Sequence, residues 1–403
     1  MSRLQKWVVG SVGGLAAVLI VAGLALGLMP VAEDTAPKPA DSILGAPDSA
    51  PRTAPVESSR IITVQAGNSI QAAVDEAKPG DVIEIMPGTY HEAVKFKQHN
   101  LTLRGVPDAN GRYPILDGEG KLDNGVFGTG SFFLIEKLQI QNYTENGVIV
   151  QGAYNLTFRD LVIHDAGKYS VFPILSTQIL IERVKTSGAA DSALYVGESA
   201  EITARDNEAY ESVTGIEIEN SNDAVVENNY VHDNTGGILV FLLPHKNAKE
   251  GSNTVVRNNR IENNNLPNFA TEGVVQQVPA GVGLIVLVAD GTEITGNTFS
   301  GNGSTAIAVV AADVFFDDTS DFDIPLVPEQ TWIHGNTFTN NAANPSQEAV
   351  SYGFPTGNDI LWDASAWNNT IDEPTAKVFP YAPAPGWPDF AKKVVWRVIQ
   401  VLK

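Results

Sequence analysis

From about residue 133 onward the chain is written in short runs in which apolar and polar positions alternate. "SALYV" (192–196), "TGIEI" (214–218) and "VGLIV" (282–286) each place apolar side chains at every second position, and Gly, Asn or Asp closes the runs. A period of two marks strands, and runs this short between turn formers do not suit helices. A nine-residue phrase then recurs: "VENNYVHDN" (226–234), "VRNNRIENN" (256–264), "ITGNTFSGN" (294–302) and "IHGNTFTNN" (333–341), at gaps of 30, 38 and 39 residues. Weaker copies begin at Leu134, Phe158, Ile181 and Ala204, 22–24 residues apart. Each copy holds three strands, which leaves no room for a crossover helix. The pattern predicts an all-β solenoid of roughly ten coils, one β-helix coil per repeat, each strand pairing in parallel with the copies above and below it. Asn229, Asn259, Asn297 and Asn336 take equivalent positions and are expected to form one stack at a turn, since Asn tolerates left-handed backbone and bonds locally.

A solenoid needs its ends covered. "SIQAAVDEAK" (69–78), with Ser69 at its start and Ile70, Ala73 and Val74 on one face, predicts a short helical cap. At the other end, Val394, Val395, Val398, Ile399 and Leu402 form an apolar stripe beside Lys392, Lys393, Arg397 and Lys403. That tail either covers the last coil or lies on an anionic membrane surface. The organisation expected is 1–32 targeting segment, 33–60 flexible linker rich in Pro, Ala and Ser, 61–371 solenoid, and 372–403 Pro-rich segment with the basic tail. Arg3 and Lys6 precede an uncharged stretch, residues 7–32. Its length suits a signal anchor rather than a cleaved signal peptide. The expected location is therefore membrane-anchored with the body on the periplasmic or extracellular side, or secreted if the signal is cleaved.

Charge changes this picture in one respect. The chain carries −21 overall, and residues 186–376 hold 27 acidic against 5 basic side chains. A negative field of this size disfavours nucleic acid as a partner. It suits a solvated surface, a basic docking partner, or Ca²⁺. Asp317, Asp318, Asp321 and Asp323 supply oxygen ligands for Ca²⁺ without a calcium-loop spacing; no other metal or cofactor is expected. With no Cys there is no disulfide and no thiolate nucleophile.

Candidate chemistry gathers where the repeat lengthens. Insertions at 242–251, 266–280 and 315–330 all rise around one strand ladder, and long loops on a regular scaffold are where function concentrates. Alternation turns Ile149, Phe172, Tyr195, Glu217, Glu219, Leu239, Phe241, Ile285 and Leu287 outward on that ladder. Phe172 and Tyr195 precede the insertions and are expected to stay open, as substrate-binding rings for a sugar. His245 and Lys246 are expected to arch over Glu217 and Glu219, giving the base and cation that proton abstraction beside a uronate carboxylate requires.

The segment "SIQAAVDEAKPGDVIEIMPGTYHEAV" and the repeat resemble right-handed parallel β-helix proteins of the pectin-lyase-like class. The stretch "IEIENSNDAVVENNYVHDNTGGILVF", with "NNNLPNFATEG" and "VPAGVGLIVL", resembles more closely a bacterial family of exported β-helix repeat proteins of unestablished activity, encoded beside a c-type-cytochrome-like protein. The first resemblance implies a carbohydrate-binding or carbohydrate-processing protein of the cell envelope, in the manner of polysaccharide lyases and epimerases. The second leaves open a non-enzymatic scaffold that docks a basic partner, such as a c-type cytochrome, on its acidic half.

Overall fold

The computed structural model of the chain describes residues 60–362 and 369–379. The expected anchor, the linker up to residue 59 and the basic tail from residue 380 lie outside them. Among the described residues no helix is long and apolar enough to cross a membrane.

Three parallel sheets, of 12, 10 and 11 strands and here named A, B and C, make up the body. Each coil visits A, then B, then C, as in Ala200–Arg205, Glu208–Tyr210 and Thr214–Glu219. Every strand pairs with its equivalent one coil on: Ile202 with Ala224, and Ile216 with Ile238. The all-β solenoid expected from the alternation is thus present. Pairing continues past residue 371, where the sequence pattern ended it, because Val378–Phe379 adds to Ile360–Trp362.

The helix spans Ile70–Glu76, shorter than the expected 69–78. Ser69 caps it by accepting from the Ala72 N–H, and Ile70, Ala73 and Val74 are buried against the first coil. It ends at Ala77 because Lys78 precedes Pro79, which disfavours helical backbone at the residue before it.

Side-chain ladders mark all three corners of the coil. At the A-to-B corner the Asn229 side-chain amide donates to Asn259 Oδ1, Asn259 to Asn297, and Asn297 to Asn336, at 2.9, 2.9 and 3.0 Å. The stack extends to Asn207 at one end and to Glu373 at the other. Left-handed backbone belongs to the residue before each stacked Asn, not to the Asn itself: Asp206, Asn228, Asn258, Gly296 and Gly335 have φ of 55°, 56°, 56°, 66° and 66°. A second ladder, unforeseen in the sequence, runs through Ser212, Asn234, Asn264, Asn302 and Asn341 at the B-to-C corner. Ser176, Ser199 and Ser221 form a third at the C-to-A corner. Each satisfies buried backbone N–H groups that the bend removes from sheet pairing.

Sheet C carries a column of small residues at its entrance. At Gly237 a Cβ would lie 2.2 Å from the Gly283 carbonyl, and at Gly147 2.6 Å from that of Ser170. Successive coils pinch together there, which explains the second-position Gly of "TGIEI", "GGILV" and "VGLIV".

Candidate functional site

Sheet C and the insertions around it bring together three carboxylates. Asp191 precedes strand Ser192–Gly197, and Glu217 and Glu219 point outward from strand Thr214–Glu219. All three are buried, Glu217 at 2% exposure. Two insertions cover them. From residues 242–251, Lys246 places Nζ 2.7 Å from Glu219 Oε1. Asn247 and Ala248 donate their N–H groups to Glu198 Oε2, and Asn220 bonds to Leu243 and Ala248. From residues 266–280, Gly273 lies beside Asp191, and Val278 packs over Gly236 in the next coil of the ladder. Leu239, Phe241, Ile285 and Leu287, the expected apolar outer face, are fully buried.

The carboxylates are tied by hydroxyls. Tyr169 O–H donates to Asp191 Oδ2 at 2.8 Å, and Tyr195 O–H to Glu219 Oε1 at 2.9 Å. Ser192 Oγ stands 3.1 Å from Asp191 Oδ1 and 2.5 Å from Glu217 Oε2. One hydroxyl has one proton to give, so a carboxyl group must bring the second. Burial first, then the charges of Asp191 and Glu219, pushes the Glu217 carboxyl well up, against weaker opposition from Ser192 and Lys246. Asp191 is raised, chiefly by burial, to about 6. Of the two, the more deeply buried Glu217 is the one whose neutral form its surroundings favour. Thr214 Oγ1, beside Ser192 in strand register, is buried without a protein partner.

These facts correct several expectations. Tyr195 is not an open sugar platform: it is 4% exposed, packed edge-on against Phe172 and bonded to Glu219. Phe172 is half-buried in a cluster of three rings, with Tyr169 4.5 Å from it and 4.8 Å from Tyr195 between ring centres. Lys246 meets Glu219 as expected, but His245 turns away. Its ring packs edge-on to Phe322, with Nε2 3.6 Å from Asp321 Oδ2. Glu217 is sealed from solvent and its surroundings favour the neutral form, unlike the open base expected. The four aspartates do not converge on a Ca²⁺ site either. Asp323 pairs with Lys249, which with the His245 N–H lowers its carboxyl to about 2, and Asp318 caps Ser320. Among the described residues no group of three or more His, Asp or Glu could hold a metal ion. Asp191, Tyr169 and Ser192 were missed. Their only sequence signal was position on the same ladder as Glu217.

An open cavity lies elsewhere, at the B-to-C side of the early coils. It measures about 490 Å³ and is lined by His91, Asp117, Glu119, Asn142 and Asp165 among others. Burial would raise the Asp117 carboxyl, but hydrogen bonds from Asn142, the Glu119 N–H and Gln141 lower it overall, so it stays ionised. His91 Nδ1 lies 3.6 Å from Glu119 Oε1, both side chains about half exposed. No repeat irregularity flagged this place; its polar groups come from ordinary corner positions.

Comparison with known proteins bears on the fold. The family described as "Right handed beta helix region" matches residues 124–317. Among solved structures, an alginate lyase from Paenibacillus sp. is 18% identical, covering 76% of this chain and 99% of its own, with a TM-score of 0.48. The A-module of a mannuronan C-5 epimerase from Azotobacter vinelandii is 15% identical, covering 80% and 87%, with a TM-score of 0.46. The tailspike of E. coli bacteriophage HK620, solved with a pentasaccharide, is 12% identical, covering 78% and 60%, with a TM-score of 0.50. A search of curated proteins found no match.

Proposed function

We propose that this right-handed parallel β-helix protein binds a carbohydrate at the cell envelope, through the open cavity at His91, Asp117, Glu119, Asn142 and Asp165. The observation that carries this reading is the contrast between two polar clusters. The cluster on sheet C is closed, with its rings and carboxylates turned to one another. The cavity is open, and its carboxylates, amide and imidazole are the acceptors and donors that sugar hydroxyls use. The tailspike's pentasaccharide supports the reading only in that a solenoid of this kind can hold an oligosaccharide. Three carboxylates around the cavity repel uronates, so the ligand is a neutral glycan and binding, not uronate proton abstraction, is the activity. The test is calorimetric titration with neutral and uronate oligosaccharides, using wild type and the Asp117→Asn and His91→Ala variants. Binding of a neutral glycan that weakens about tenfold or more in either variant, the loss of one or two good polar contacts, supports it. Preference for uronates, or indifference to both variants, overturns it.

A second reading draws on the acidic half. Glu201 and Asp223, near strand starts, and Asp206 and Glu211, at coil corners, are exposed. We propose that such carboxylates steer a basic envelope protein to this half, with an on-rate that falls as salt rises. A complex insensitive to salt counts against it.

A further inference from the structure

We infer that Glu217, Ser192 and Asp191 form a proton-held latch: while Glu217 keeps its proton, the insertions at 242–251 and 266–280 stay closed over sheet C, and its loss favours their opening. Ser192 Oγ reaches one oxygen of each carboxyl, at 3.1 and 2.5 Å, and this arrangement closes only with a carboxyl proton present. Without it, two carboxylates face one donor in a dry site, and a buried charge is costly unless paired. Water is the remedy, and it reaches Glu217 only if the cover lifts.

Every element packed on the cluster bears on this balance. Tyr195 shares the strand of Ser192, Tyr169 starts the strand before it, and Thr214 and Glu219 share the strand of Glu217. Lys246 comes from the first insertion, with Glu198 beside it, and Glu272 from the second, where it pairs with Lys168. Ionisation of Glu217 would strengthen its attraction to Lys246, which alone would tighten the cover. Burial and the two neighbouring carboxylates act the other way and outweigh it, since the net displacement of the Glu217 carboxyl is upward. A carboxyl pKa raised in the closed state means that the closed state binds the proton more tightly than the open one. Closure is then fully favoured below the ordinary carboxylate range. It weakens as pH rises above that range and the coupled pair, Asp191 raised to about 6 and Glu217 raised by burial, gives up its protons.

The latch is independent of the glycan reading, because it lies on sheet C away from the open cavity. It is tested by hydrogen–deuterium exchange of peptides spanning 242–251 and 266–280, corrected for the chemical rate and compared with a peptide from strand Asn222–Glu227. Between about pH 5 and pH 8 the protection of the two insertions should fall roughly tenfold relative to the reference, the effect of about one unit of differential proton binding. Glu217→Gln, which keeps a donor toward Ser192 and cannot ionise, should lose much of that fall and keep only the part that follows Asp191. Flat wild-type profiles overturn the proposal, and that comparison stands even if the variant fails to fold. A Glu217→Gln protein with the full wild-type pH dependence overturns it as well.

Discussion

Asn336 gives both its backbone N–H and its side-chain amide to one oxygen of Glu373, at 2.7 and 2.8 Å. Every earlier member of the stack gives the same two donors to the next Asn, which then needs donors' partners of its own. A carboxylate accepts and asks for nothing further, so Glu373 terminates the ladder. Glu373→Ala should leave the buried Asn336 N–H unmatched and its side-chain amide with only the Ile294 and His334 carbonyls, and cost about 1–3 kcal/mol. Glu373→Gln keeps an acceptor oxygen and should cost much less. Amide exchange in the last coils separates the two outcomes.

A break in mid-ladder should cost more. Asn259 accepts from the N–H and side-chain amide of Asn229, and donates to the Val226 carbonyl and to Asn297. Asn259→Ala strips the Asn229 N–H of its acceptor and the Val226 carbonyl of its side-chain donor, while Asn297 Oδ1 keeps only the residue 259 backbone N–H, so a loss of roughly 2–4 kcal/mol is expected from two such groups. Asn259→Asp keeps the acceptor but not the donors and should fall between. Urea midpoints of the three proteins give the ranking.

The ladder was legible in the sequence because it repeats one residue type at one phase of the pattern. The Ser stack was not, because Ser176, Ser199 and Ser221 sit among many other serines at loop positions. The strands and the apolar face under the insertions were legible from alternation alone. Openness was not. Tyr195 has the same outward phase as an exposed ring, and only the path of the insertions decides whether solvent meets it. His245 illustrates the same limit: its loop was identified, but the pull of the third insertion, through Phe322 and the Asp323 oxygen that accepts its N–H, lies 78 residues away.

A charge ladder at the end of the sheet A strands offers a third test. Arg104, Glu136, Arg159, Glu182, Arg205, Glu227 and Arg257 stand in register on seven successive strands with alternating sign. Glu136 takes Arg104 on one oxygen and Arg159 on the other. The arginines are about a third exposed, so each pair lies between a screened surface bridge and a buried one. Glu136→Gln should cost about 1 kcal/mol. The cost should shrink in high salt, unlike that of Asn259→Ala, which removes no charge. Thermal midpoints at low and high ionic strength check both.

The last prediction concerns pH and overall stability. Asp191 is raised from 3.8 to about 6 by burial, despite hydrogen bonds from Tyr169 and Ser192 that favour its charge. The folded protein therefore binds this proton more tightly than the unfolded chain. Its contribution is whole below the ordinary carboxylate value and is lost as pH climbs to about 6, after which the loss levels off. A displacement of about two units corresponds to roughly 3 kcal/mol at most, and less where Glu217 shares the proton. Asp191→Asn removes this titration while keeping an acceptor for one of the two hydroxyls. Its stability should change less than that of wild type between about pH 4 and pH 7, even if it is lower at the acid end, where the wild-type carboxyl is neutral and fully bonded. Urea unfolding across that range measures both slopes. A wild-type slope that survives intact in Asp191→Asn would place the titrating group elsewhere, and one that rises with pH in this window would mean that paired carboxylates such as Glu136, which Arg104 and Arg159 hold ionised against the cost of burial, dominate the balance.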